Sequence, residues 1–141
     1  MPSPSPSVNW SGTGSPHLPR SSPIPRLPPK GFYVLDPTTP NQLVLGPFHG
    51  KVACQTISFS RGVCGAAART AESQVVVDVH ARPDHIACDS DTMSEVVVPV
   101  VSGMRVVAVI DVDSAAGNTF GEVDKEWLER LAVMLSEGCD W

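Results

Sequence analysis

Glu95–Asp113 reads EVVVPVVSGMRVVAVIDVD, and this stretch decides the fold. Two valine-rich runs, Glu95–Val101 and Arg105–Asp113, flank Ser102-Gly103. β-Branched side chains favour the pleated sheet, and a glycine between two such runs signals a tight turn. The stretch is therefore expected to be a β-hairpin across Ser102-Gly103. Residues two apart on a strand point to the same face, so Asp111 and Asp113 project together. With Glu95 bordering that face, three acids surround one small cavity. Such a cavity can bind a cationic amino group. One acid, its pKa raised by its neighbours, can stay protonated and donate a proton.

Working outward, Thr119 and Glu122 fit a capping box, and Val123, Trp127, Leu131 and Met134 repeat at helical spacing. Gly138 ends that helix as a C-cap. Towards the N-terminus, residues 80–94 form a long polar loop holding Pro83, His85 and Cys88. A loop of that length in a compact domain is usually functional. Before it, Val75–Val79 reads as a buried strand and Gly62–Thr70 as a short Gly- and Ala-rich helix. Val52–Phe59 alternates as a third strand. A loop with Gly46, Pro47 and Gly50 precedes it. Gln42–Leu45 and Phe32–Leu35 are the second and first strands, joined by a turn at Pro37–Pro40. This order predicts an α+β domain, an antiparallel sheet flanked by helices.

Residues 1–30 are Pro, Ser and Arg with scattered Leu and Ile. This composition buries too little apolar surface to offset ordering, so a disordered segment is expected there, with the folded domain over 31–141. Pro16–Pro19 and Pro25–Pro28 match P-x-x-P, a pattern that long proline-rich tails also produce by chance. Met1–Ser7 lacks the apolar core of a secretory signal. A net charge of −5 argues against a nucleic-acid partner, and no apolar run approaches the length of a membrane span.

Without a secretory signal, the four cysteines point to a reducing compartment such as the cytoplasm, where disulfides are transient and catalytic. Cys54, Cys64 and Cys88 fall on three different elements and can meet only through tertiary folding. Cys88 lies in a loop that solvent and substrate can reach. Cys64 sits at a helix start, where backbone N–H groups favour the thiolate. Plainer readings exist for each. Free cysteines are commonly buried and inert, and Cys139 is expected to be one of these. Asp111 and Asp113 can be solvated strand ends. His85-x-x-Cys88 can be half a zinc site completed by Cys54, Cys64 or His49, although no C-x-x-C pair is present. His80 and His85 otherwise read as ordinary polar loop groups.

Five runs in order resemble the free methionine-(R)-sulfoxide reductase family of GAF-domain enzymes. They are Leu45–Cys54 (LGPFHGKVAC), Gly62–Ala67 (GVCGAA), Pro83–Asp89 (PDHIACD), Ser94–Pro99 (SEVVVP) and Val109–Asp113 (VIDVD). The resemblance covers residues 31–139. It implies a thiolate attacking the sulfoxide sulfur of the free amino acid, leaving a cysteine sulfenic acid and methionine. A second cysteine then closes a disulfide, which thioredoxin reduces. It implies Cys88 as nucleophile and Cys54 as resolving thiol, with Cys64 able to exchange roles with either. Glu95, Asp111 and Asp113 match acids lining the family's substrate pocket, and Tyr33 and Trp10 match its aromatic walls. Neither metal nor organic cofactor is implied, and a homodimer is compatible. The family runs from Asn-Trp to Gly-Phe-Tyr across one residue. Here Ser11–Lys30 separates Asn9-Trp10 from Gly31-Phe32-Tyr33, an insertion that reads as translated non-coding sequence or a variant transcript, and the family's preceding helix has no counterpart. A non-catalytic GAF module that binds a ligand or senses oxidants is the alternative, but it needs no set of three positioned thiols. A zinc-binding interaction domain is a third reading, decided by metal analysis.

Overall fold

The computed structural model describes residues 29–51, 53–86 and 88–141. The expected disordered segment up to residue 28, its two P-x-x-P matches and Trp10 lie outside these residues. Six strands form one antiparallel sheet: β1 Lys30–Leu35, β2 Gln42–His49, β3 Thr56–Ser58, β4 Gln74–Val76, β5 Ser94–Ser102 and β6 Arg105–Ser114. Their order across the sheet is β3-β2-β1-β6-β5-β4. Helix α1, Gly62–Thr70, and helix α2, Glu122–Gly138, complete the α+β domain. Among the described residues, no helix is long and apolar enough to cross a membrane.

The central hairpin is β5–β6, as its valine runs require. Its turn sits one residue later than expected, because Ser102 pairs with Arg105 and leaves Gly103-Met104 as the loop. Gly103 adopts φ 63°, a left-handed conformation that glycine takes without steric cost. β1 begins at Lys30, which pairs with both His49 and Val112, so the sheet reaches into the segment expected to be disordered. β2 runs on through Gly46 and Pro47 to His49 instead of ending at Leu45. Pro47 is tolerated there because the pairing with β3 covers only Gln42–Val44, so that Pro47 lies beyond the ladder that would need its N–H. The expected third strand shrinks to Thr56–Ser58. The strand expected over Val75–Val79 ends at Val76, and Val79–Ala81 is a 3-10 turn capped by the Asp78 carboxylate.

Alternation along β5 and β6 divides the sheet into two faces. One buries Tyr33, Leu43, Val97 and Val109 beneath Val63, Cys64 and Ala67 of α1. The other buries Val96, Val98, Val100 and Ile110 beneath α2. Each fully buried valine contributes about 1.5–3 kcal/mol, so both faces hold a substantial share of the stability.

Helix α2 differs from its sequence expectation at both ends and in its buried side, with Cys139 and not Gly138 as C-cap. Gly121 is the N-cap and Asp124 accepts its N–H at 2.8 Å, whereas Thr119 bonds Ser114 and Ala116 outside the helix. The helix also turns Leu128, Ala132 and Leu135 to the sheet. The stripe read from the sequence points away: Val123 is 67% exposed, Trp127 63% and Met134 69%. Apolar residues occupy more than one side of this helix, so periodicity identified the element without identifying its buried side.

Candidate active site

Five segments meet at one end of the α1 face. Strand β6 supplies Asp111 and Asp113, and β5 supplies Glu95 directly across from Asp113 in the ladder. Helix α1 supplies Cys64 in its first turn. The loops before β3 and before β5 supply Cys54 and Cys88, joined as a disulfide with a Cα–Cα distance of 5.3 Å. The approach of α1 depends on Gly65, since a Cβ there would collide with the Ser58 carbonyl oxygen. A side chain at that position would push the Cys64 turn off β3.

These segments enclose a cavity of about 40 Å³, lined in part by Tyr33, Cys64, His85, Cys88, Glu95, Asp111 and Asp113. Thus Cys64 and Cys88 border this space and Cys54 is tied to it through the disulfide, whereas Cys139 lies elsewhere. That residue is exposed at the end of α2, not buried as expected. Trp10 lies outside the described residues. The loop of residues 80–94 is partly ordered by the 3-10 turn, and it is tied to the β2–β3 connection by the disulfide.

The acids are not solvated strand ends. Asp111 and Glu95 are each 6% exposed. Burial, the largest cause, raises Asp111 to about 6 and Asp113 to about 8. Burial again, then the charges of Asp111 and Asp113, hold Glu95 well above the usual carboxyl range. Like charges in a small volume cannot all ionise. Glu95 in its protonated form hydrogen-bonds Asp111, and the Cys64 thiol does the same. Thr92, itself buried, bonds Asp113. Oδ1 of Asp111 is buried and meets no hydrogen-bond partner.

Cys64 corrects an expectation. A helix start should favour its thiolate, yet its pKa lies well above the normal thiol value. Burial comes first among the causes, followed by the charges of Asp111, Glu95 and Asp113. Partial dipole charge at a short helix is outweighed by a desolvated site with three carboxyl groups. Tyr33 is raised for the same reasons, burial foremost. Its ring, 1% exposed, forms the floor of the cavity.

Sequence reasoning missed His85 as a cavity residue. Its Nδ1 is buried without a partner, and burial, with His80 and Arg82 as lesser causes, lowers its pKa. The signal was present in the spacing His85-x-x-Cys88, which places the ring beside a site cysteine. Thr92 left no such signal.

The GAF domain model matches residues 27–136. A free methionine-R-sulfoxide reductase of Saccharomyces cerevisiae is 52% identical over 110 residues, covering 77% of this chain and 61% of that protein. One from Escherichia coli is 42% identical over 107 residues, covering 76% of this chain and 63% of the relative. The X-ray structure of the free methionine-R-sulfoxide reductase of Neisseria meningitidis in complex with its substrate superposes with a TM-score of 0.76 at 46% identity. That superposition covers 79% of this chain and 66% of the other. The chain thus spans less than two thirds of the length of these three relatives. Sheet order, helix placement and the match over residues 27–136 together assign the chain to the GAF-domain family.

Proposed function

We propose that this chain reduces free methionine-(R)-sulfoxide to methionine through a cysteine sulfenic acid and an intramolecular disulfide. One observation carries the reading: Cys54 and Cys88 are joined at a cavity that also holds Cys64 and three carboxyl groups. A plain ligand-binding module has no use for that set. The names of the yeast, E. coli and N. meningitidis relatives support the same substrate.

In the reduced protein, Cys88 attacks the sulfoxide sulfur. A carboxyl group of the pocket gives its proton to the sulfoxide oxygen as the S–O bond breaks. The oxygen passes to Cys88 Sγ as the transient S–S bond to the substrate breaks, methionine departs with that electron pair, and Cys88 is left oxidised to sulfenic acid. Cys54 displaces that oxygen as water and closes the disulfide, with Cys64 as the third thiol. The raised carboxyl groups suit these steps, because an acid still protonated near neutral pH can donate. An ionised neighbour attracts the substrate ammonium. Tyr33 packs on the substrate's methyl group, and Trp10 is assigned to substrate binding.

Thioredoxin is the proposed reductant, the cytoplasm the proposed compartment, and a homodimer the proposed assembly. Ser11–Lys30 is proposed to be an insertion between Trp10 and the domain, although Lys30 itself belongs to β1. The test is NADPH consumption with free methionine-(R)-sulfoxide, thioredoxin and thioredoxin reductase. Turnover of the R epimer and none of the S epimer or of peptide-bound sulfoxide is expected. Equal turnover of all three would overturn the substrate assignment.

A further inference from the structure

Among the described residues, three carboxyl groups and a thiol line the cavity and no Lys or Arg does. Arg82, outside that lining, is held in a two-bond ion pair by Asp84. Cys64 Sγ and one oxygen each of Glu95 and Asp111 lie within 4.8 Å of one another. All three residues are buried. Two buried polar atoms without partners are found among the described side chains, Asp111 Oδ1 and His85 Nδ1, and both residues line this cavity. A small-molecule ammonium would satisfy oxygens. A divalent cation among these donors would satisfy Asp111 Oδ1 and take the Cys64 sulfur as a ligand as well.

We propose that Cys64, Glu95 and Asp111 form a binding site for a thiophilic divalent cation of the zinc class, which acts as an inhibitor. Zinc takes sulfur at about 2.3 Å and carboxylate oxygen at about 2.1 Å, so tetrahedral ligands stand about 3.6 Å apart. The observed spread of the three donor atoms reaches that spacing with small side-chain rotations. Thiolate with carboxylate selects zinc or cadmium over magnesium or calcium, which prefer oxygen alone. A cavity of about 40 Å³ admits an ion with a water, with His85 as the neutral side chain nearest in chemistry to a fourth ligand. On binding, the Cys64 S–H bond breaks heterolytically. The electron pair goes to the metal and the proton to solvent. No electrons are transferred, so no oxidant is needed.

The site is complete while Cys54 and Cys88 are disulfide-bonded, since it uses neither. Binding stands by itself. Its effect on turnover rests on the reductase reading, because the ion would occupy the acids assigned to the substrate.

The test uses the oxidised full chain carrying Cys139→Ser, which removes the exposed thiol outside the site. Titration with Cd2+ alone is expected to give a thiolate-to-metal charge-transfer band saturating at one equivalent, and calorimetry with Zn2+ the same stoichiometry. Cys64→Ser should abolish the band. Asp111→Asn and Glu95→Gln, near-isosteric should Cys64→Ser fail to fold, should each weaken binding at least about ten-fold. No band, or affinity unchanged in both carboxamide variants, overturns the site. One bound equivalent without loss of sulfoxide turnover overturns the inhibition. Absence of turnover before any metal is added, with the band present, counts against the reductase reading and not against the site.

Discussion

The two faces of one sheet are built from the same two strands and do opposite things. On the α2 side, β5 and β6 present Val96, Val98, Val100 and Ile110 to Leu128, Ala132 and Leu135. On the α1 side, the same strands present Val97 and Val109 and then, towards one end, Glu95, Asp111 and Asp113. Burial on the first face stabilises through apolar area. Burial on the second raises the proton affinity of every acid it encloses. The difference shows that a single strand can serve stability with even residues and chemistry with odd ones.

The sharpest break between the faces should come from Cys88→Ser. Turnover should fall at least about a thousand-fold, with no gain of activity at higher substrate, since the variant removes the proposed attacking group. Denaturant unfolding of its reduced form should match that of reduced wild type. Surviving turnover would instead move the nucleophile to Cys54 or Cys64. Ile110→Ala, one residue from Asp111 but on the other face, should do the reverse. It should lose about 2–4 kcal/mol of unfolding free energy and keep the pH profile of whatever activity remains.

Stability against pH tests the acidic face alone. A carboxyl group whose folded pKa is raised binds its proton more tightly when folded. Its contribution is full below the unfolded value near 4 and is lost as pH rises through the folded value. With Asp111 at about 6 and Asp113 at about 8, unfolding free energy should fall between pH 4 and 8. Asp113→Asn should flatten that fall, by on the order of 2 kcal/mol, in urea melts across the range. A slope unchanged in the variant would show that Asp113 titrates normally. The smallest effect is expected on α2, where neighbouring residues face opposite ways. Trp127→Ala should shift unfolding by no more than about 0.5 kcal/mol, whereas Leu128→Ala should cost about 2 kcal/mol.

Much of this was legible in the sequence, for physical reasons that differ by region. The hairpin was readable because its valine runs and glycine turn agree. The site acids followed from it, because a period of two leaves Asp111 and Asp113 no choice of face. Helix α1 was found with its bounds intact. The buried side of α2 was not readable, because its exposed stripe of Val123, Trp127 and Met134 mimics a core stripe. The protonation of Cys64 was misjudged because a local rule about helix starts carries no information about three acids arriving from β5 and β6. The continuation of β2 through Pro47 depended on how short β3 would be, which is a fact about partners and not about Pro47 itself.

The pairing of Glu95 with Asp113 and of Val97 with Asp111 has a consequence for folding itself. Valine strands are poor at proofreading, since one valine slides past another with little change in energy. A slip of one residue in β6 would here drive Asp111 and Asp113 into the layer beneath Leu128, Ala132 and Leu135. Two carboxyl groups would then be buried with no partner, at several kcal/mol each. The acids therefore penalise every odd-numbered slip of the hairpin, and the residues proposed to carry the cavity's chemistry also act as an error check on the sheet that holds them.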